Sequence, residues 1–247
     1  MKKFSLLACL ALVPLPAAAN GTVTDYAQCV ALVQTNPAQA EAGARVWQNE
    51  DGGAAAIHCR ALALTALKRY AEAAHTLDDL ARGRDFMDNL KRAALYDQAG
   101  NAWMLAGMAN NAAQSFSAAI AQSPNDVDML VDRARARAML KDWSGADADL
   151  GSALLKDQNR ADLLVLRASA RWAVGRKADA ATDIVRALAL YPDYPAALVE
   201  RGMMKYSAGD TEGARKDWKK AASGTGAAAD AARRNLEAMG TEQKPAQ

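Results

Sequence analysis

Residues 161–194 read ADLLVLRASARWAVGRKADAATDIVRALALYPDY, and this stretch decides the fold. Leu164, Ala168 and Trp172 recur at i, i+4 spacing and share one face of a helix, while Ala180, Ile184 and Ala187 share a face of a second. Between them the turn AVGRKAD carries Gly175, which supplies the left-handed backbone that a helix end favours. One unit is therefore a helical hairpin.

Moving outward by 34 residues in either direction finds the same pattern. A small residue stands at Gly100, Ala134, Ala168 and Gly202, and alanine at Ala112, Ala146, Ala180 and Ala214. A third small column is Ala119, Ala153, Ala187 and Ala221. Bulky columns run through Phe116, Leu150, Ile184 and Trp218, and through Tyr96, Leu130, Leu164 and Leu198. Small positions let two helices approach, and the bulky ones fill the space between neighbours. Gly107, Gly175 and Gly209 share the turn position, with Lys141 the exception, and Pro124 and Pro192 stand where one unit gives way to the next.

A small residue, a glycine turn, alanine, a bulky residue, alanine and proline at a period of 34 resemble the tetratricopeptide repeat family. The resemblance covers four tandem units over 93–228. It extends back to a divergent repeat at 54–92, where Ile57, Ala61, Tyr70, Ala73, Leu77 and Leu80 keep the internal spacing. Ala61 to Gly100 is 39 residues, so five extra residues around ARGRDFMDNLKR break the register, as a hinge or a longer helix. Residues 20–53 are expected to hold two helices, near 25–34 and 37–49, as an N-terminal cap or degenerate repeat, with Asn36 capping and Pro37 in the first turn of the second. Residues 229–240 read as the C-terminal capping helix that such arrays need, and 241–247 as a polar tail. The expected fold is all-α, a right-handed superhelix of antiparallel helix pairs in one continuous domain.

The beginning, MKKFSLLACLALVPLPAAAN, gives two lysines, an apolar run from Phe4 to Pro16 and small Ala17, Ala18 and Ala19, the pattern of a secretory signal at 1–19 cleaved after Ala19. LLAC also looks like a lipoprotein box ending in Cys9, but cleavage there leaves only Phe4 to Ala8 as the apolar region, shorter than a signal needs. The expected address is the periplasm. Nothing later approaches twenty uncharged apolar residues, so no membrane span is expected. Removing the signal takes two lysines and no acid from 30 basic and 28 acidic side chains, leaving 28 of each. That balance lacks the basic excess that phosphate neutralisation requires, and nucleic acid is not an expected partner. Cys29 and Cys59 remain, in a compartment where disulfides persist. Their thirty-residue separation fits neither a redox CxxC nor a zinc site, which favours one structural bridge over two buried thiols.

The stretch VDRARARAML, 131–140, sorts its three arginines by column. Arg133 has counterparts Arg167 and Arg201, and sixteen residues after each comes an aspartate: Asp149, Asp183 and Asp217. The unit with Ala99 in the arginine column has Ser115 in the aspartate column. Joint presence and absence predicts an Arg–Asp pair linking the two helices of each hairpin. Arg137, with counterparts Arg171 and Lys205, sits near a helix end, where a cation suits the dipole. Arg135 belongs to a variable column with Asn101, Ser169 and Met203.

The resemblance implies that the first helix of each unit lines a concave groove in which that variable column faces ligand. Carried over by position, the groove presents Asp97, Asn101 and Met104, then Asp128, Val131, Arg135 and Met139. The next units add Val165, Ser169 and Trp172, then Tyr194, Val199, Met203 and Tyr206. Aromatics, methionines and an arginine suit a binding surface; Trp172 and Met139 at helical spacing read equally well as packing residues. The family's clamp for a terminal carboxylate is not reproduced, because Asp97 stands where that pattern resembles a lysine, although Asn101 matches an asparagine.

No constellation for catalysis, cofactor or metal emerges. His58 and His75 fit no metal spacing, there is no GxSxG, and SGTGAAAD at 223–230 follows no strand, so it reads as a hinge into the last helix. The expected function is a non-enzymatic scaffold or adaptor that binds a protein or peptide in the groove during envelope assembly, secretion or cell-wall work. The alternative is a non-catalytic accessory subunit of an envelope enzyme complex that recognises glycan or regulates the enzyme, which retention on peptidoglycan without protein would favour. Oligomeric state is left open by the sequence.

Overall fold

The computed structural model describes residues 23–83 and 88–242. The signal segment, the lipoprotein box with Cys9, part of the extra residues and most of the polar tail lie outside the described residues. Within them are thirteen α-helices and no strand. The described residues fall into two compact units that divide between Lys68 and Arg69.

In the first unit, α1 (Tyr26–Thr35), α2 (Pro37–Asn49) and α3 (Gly53–Ala66) pack pairwise on one another. Asn36 both ends α1 and opens α2: its N–H donates to the Leu32 carbonyl at 2.7 Å, its Oδ1 accepts from the Gln39 N–H at 3.2 Å, and Pro37 follows in the first turn. A Cys29–Cys59 disulfide ties α1 to α3, with the two Cα atoms 6.2 Å apart and both residues fully buried among Val33, Ala40, Ala44 and Ala63. A bridge closing a loop of this length stabilises the unit by roughly 3–4 kcal/mol on the chain-entropy model. This explains the division: α3 has its partners in α1 and α2, inside the segment read as a divergent repeat.

The second unit runs through α4 (Tyr70–Arg82), α5 (Asn89–Leu105), α6 (Ala109–Gln122), α7 (Val127–Met139), α8 (Trp143–Lys156), α9 (Ala161–Ala173), α10 (Lys177–Leu190), α11 (Pro195–Ser207), α12 (Thr211–Ala222) and α13 (Ala227–Glu242). Each helix packs on the next, and α5 also touches α7 as α9 touches α11. Asp88 caps α5, which begins four residues ahead of the 93–126 unit, so Asn89 to Arg92 lengthen the helix.

The small and bulky columns are matched in size within each hairpin. A Cβ at Gly100 would sit 2.5 Å from Phe116 Cε1, and one at Gly202 would collide with the Trp218 indole. Alanine returns at 134 and 168, where the partners are the smaller Leu150 and Ile184. Lys141 takes the left-handed φ of +61° that Gly107, Gly175 and Gly209 adopt at the other turns. At the end, α13 packs on α11 and α12 and adds Ala232 and Met239 to the main core.

Candidate partner-binding face of the first helices

The basic side chains of the first helices divide by direction. In the α7–α8 hairpin, Arg133 Nε and Nη2 donate to the Asp149 carboxylate at 2.9 and 2.7 Å, and Arg137 Nη1 donates to it at 2.7 Å. In α9–α10, Arg167 grips Asp183 at 2.9 and 2.6 Å and Arg171 adds a bond at 2.7 Å. In α11–α12, Arg201 meets Asp217 at 2.8 and 2.7 Å, and Lys205 Nζ lies 2.9 Å away. The three carboxylates are 3–4 % exposed. Each is therefore closed by a two-pronged arginine and a second cation one turn later, a clasp across the hairpin. Burial pushes the Asp217 carboxyl up, but hydrogen bonds from Arg201 and Lys205 outweigh it and hold the group below the usual carboxylate range.

Arg137, Arg171 and Lys205 stand in the last turn of their helices, where a cation suits the dipole, and their side chains in addition bind the buried aspartates. The signal was present in the columns, because this cation also disappears, as Trp103, in the unit without the aspartate.

The outward side chains leave a different surface. Arg135 is exposed and, among the described residues, pairs with Asp132, one turn back on α7, at 2.7 Å. It stands beside an apolar recess of about 170 Å³ between α7, α8 and α9, walled by Ala138, Trp143, Leu150 and Leu166, with Ser169 also on its lining. Toward α5 the surface turns acidic. Burial raises the Asp97 carboxyl to about 6, helped by the charges of Asp132, Asp126 and Asp128, while a hydrogen bond from Asn101 Nδ2 at 3.3 Å opposes the shift. Toward α11, burial pushes the Glu200 carboxyl up and a hydrogen bond with Ser169 lowers it.

No family model matches the sequence, and no curated protein matches it. Solved structures do. A structure of MamA superposes with a TM-score of 0.57 at 15% identity, over 72% of this chain and 96% of its own. MamA from Desulfovibrio magneticus RS-1 gives 0.55 at 14% identity, over 68% and 92%. YrrB, described as a TPR protein with an unusual peptide-binding site, gives 0.56 at 17% identity, over 72% and 90%. The fold is that of a tetratricopeptide-repeat array.

Within this array the candidate groove residues fall into three groups. Asn101, Asp128, Arg135, Met139 and Met203 are exposed, Met139 at 54 % and Met203 at 46 %. Asp97, Met104, Ser169, Trp172, Tyr194, Val199 and Tyr206 are half-buried: Trp172 carries the Lys177 ammonium 5.0 Å above its ring, the Val199 carbonyl accepts from Trp218 Nε1 at 3.1 Å, and Tyr206 packs 5.7 Å from the Trp218 ring. Tyr194 also lines an open cleft with Tyr191, Arg160 and Asp162. Val131 and Val165 lie in the main core, buried, and offer nothing to a ligand. A position carried over from a family pattern fixes the column, but the packing around each residue decides whether its side chain is exposed. Asp132, Trp143, Leu166 and Glu200 were not singled out from the sequence; the first lies in the column after Val131, and the others become surface only when helices meet.

The histidines sit apart. His58 Nδ1 lies 2.8 Å from the Tyr26 hydroxyl in the first unit, and in the second His75 stands edge-on to Trp103 with ring centres 4.6 Å apart. Among the described residues no group of three or more His, Cys, Asp or Glu side chains is placed to hold a metal ion, and no helix is long and apolar enough to cross a membrane.

Proposed function

We propose that the array is a periplasmic scaffold or adaptor that holds an extended or helical segment of a protein partner against its first helices, in envelope assembly, secretion or cell-wall machinery. One observation carries the reading: Arg135 is held out of the clasps and stands beside an apolar recess, a cation and an anchor pocket side by side. A partner with an apolar side chain flanked by an acidic residue fits that pair, and basic residues further along it would meet the acids around Asp97. The peptide-binding description of YrrB, a protein of the same fold, supports a peptide ligand. The periplasmic address rests on the leader-like residues 1–19 and agrees with the Cys29–Cys59 bridge. Charge balance argues against nucleic acid, and the role needs no chemistry beyond binding.

The test is photo-crosslinking in the native cell from a photoreactive residue at position 135 or 172, with exposed position 179 on α10 as control, followed by mass spectrometry. The reading expects a product from 135 and 172 that 179 does not give. Equal products from all three, or none, contradict it.

A further inference from the structure

Asp78 breaks a rule that the rest of the molecule keeps. Among the described residues the other buried carboxylates, Glu41, Asp149, Asp183 and Asp217, are each gripped by an arginine or lysine. Asp78, on α4 and only 8 % exposed, is held by neutral donors: Ser115 Oγ at 2.9 and 3.1 Å and Trp103 Nε1 at 2.9 Å. The nearby Arg82 donates to Asp79 instead, at 2.6 Å. A buried carboxylate without a cation is costly, and neutral donors compensate only part of the loss of water.

The reason lies in the columns. Ala99 and Trp103 of α5 stand where α7, α9 and α11 carry the two cations of their clasps, so neither clasp column of this hairpin supplies a cation. An open cleft takes its place. It encloses about 230 Å³ between α4, α5 and α6 and is lined by Asp78 and Ser115, by the rings of His75 and Tyr96 and the buried Trp103, by the exposed Gln114, and by Arg82, whose guanidinium is turned to Asp79. Aromatic rings around a buried carboxylate attract a cation from two sides: the charge pairs with the anion and its flanks lie against ring faces. An anion is repelled by Asp78, and a neutral side chain leaves the carboxylate as it was.

We infer that this cleft is a binding site for the guanidinium or ammonium group of an arginine or lysine side chain of a partner protein, which completes from outside the clasp that the α5–α6 hairpin lacks. Its α5 residues, Tyr96 and Trp103, lie roughly 100° around the helix from Asp97 and Met104. The site is thus separate from the first-helix face, and it stands or falls independently of the function proposed above.

The test uses the full mature chain, ¹⁵N-labelled, and follows the Trp103 indole N–H resonance, assigned through Trp103→Phe. The probe is N-acetyl-arginine amide, with N-acetyl-citrulline amide as its uncharged counterpart of the same shape. A saturable shift with the arginine probe is expected, roughly tenfold weaker or more with citrulline, as the loss of one charge-assisted bond implies. Asp78→Asn should abolish the response. Gln114→Lys, which changes only an exposed lining residue and supplies a cation from the chain itself, should abolish it without lowering the melting temperature; this variant decides the matter if Asp78→Asn does not fold. No saturable shift with the arginine probe, equal binding of citrulline, or an arginine response that survives in Gln114→Lys overturns the assignment.

Discussion

The α9–α10 and α5–α6 hairpins share a backbone plan and a register, yet they are closed by opposite chemistry. In the first, Arg167 and Arg171 converge on buried Asp183. In the second, Ala99, Trp103 and Ser115 occupy those three columns, and the buried acid that Trp103 and Ser115 hold, Asp78, comes from the preceding helix. The comparison separates two jobs that a repeat performs. Alanine, glycine and bulky apolar columns make the hairpin and stack it, and they are common to both. The charged clasp is an addition that three hairpins carry, and the hairpin without it gains a polar cleft.

Breaking a clasp should produce the largest effect. Arg167→Ala leaves Asp183 buried with Arg171 alone, and a buried charge that loses its main partner costs about 2–4 kcal/mol. At this chain length that lowers a thermal midpoint by roughly 5–10 °C. Circular dichroism melting checks it, and an unchanged curve would remove the clasp from the account. Ser115→Ala at the corresponding column deletes one neutral donor to Asp78 and should cost less, about 1–2 kcal/mol. If the two variants melt alike, the distinction between the hairpins fails.

The shared part of the plan can be tested through size matching. Gly202→Ala would ordinarily favour a helix, but its methyl group meets the Trp218 indole, so it should destabilise by about 1–3 kcal/mol. Adding Trp218→Leu recreates the Ala134–Leu150 combination and should recover part of that loss, although it gives up the bond to the Val199 carbonyl.

Smaller effects follow from the acidic end of the first-helix face. Asp97 titrates near 6 in the folded chain and near 3.8 when unfolded, so folding favours its protonated form. Its ionised form destabilises the array above pH 6, and this penalty fades as pH falls through 6 toward 4. Asp97→Asn should therefore raise the melting temperature at pH 7.5, by roughly 1–2 °C given its partial exposure, and lose that advantage near pH 4. Asp217 has the opposite sign: its carboxyl is lowered, so its contribution is present at neutral pH and disappears as acid protonates it. The least effect is expected from Lys141→Gly, which relieves a left-handed lysine but loosens the unfolded chain, a net gain of about 0.5 kcal/mol in chemical denaturation.

How far the sequence anticipates all this depends on whether a feature is periodic. The helix pairs, their turns and the Arg133, Arg167 and Arg201 pairings are written in columns that repeat, so one chain supplies its own internal alignment. The bond from Arg137 to Asp149 was missed because a cation near a helix end already had a sufficient local explanation. Val131 and Val165 were placed in the groove by the position the family resemblance gives them, while both lie buried in the main core. The recess beside Arg135 and the cleft over Asp78 draw residues from three helices each, and neither has a repeating signature. The break between Lys68 and Arg69 follows from the bridge between α1 and α3, which no period announces.

The central claim is that arginines two residues apart on α7 serve different ends, Arg133 the fold and Arg135 the partner. The most direct measurement compares Arg133→Ala with Arg135→Ala in the same cells and the same buffer, reading the thermal midpoint and the crosslink from position 172. The account predicts that Arg133→Ala lowers the midpoint by several degrees, and that Arg135→Ala leaves the midpoint in place and loses the crosslinked partner. Equal midpoints for the two variants, or a crosslink that persists in Arg135→Ala, would contradict it.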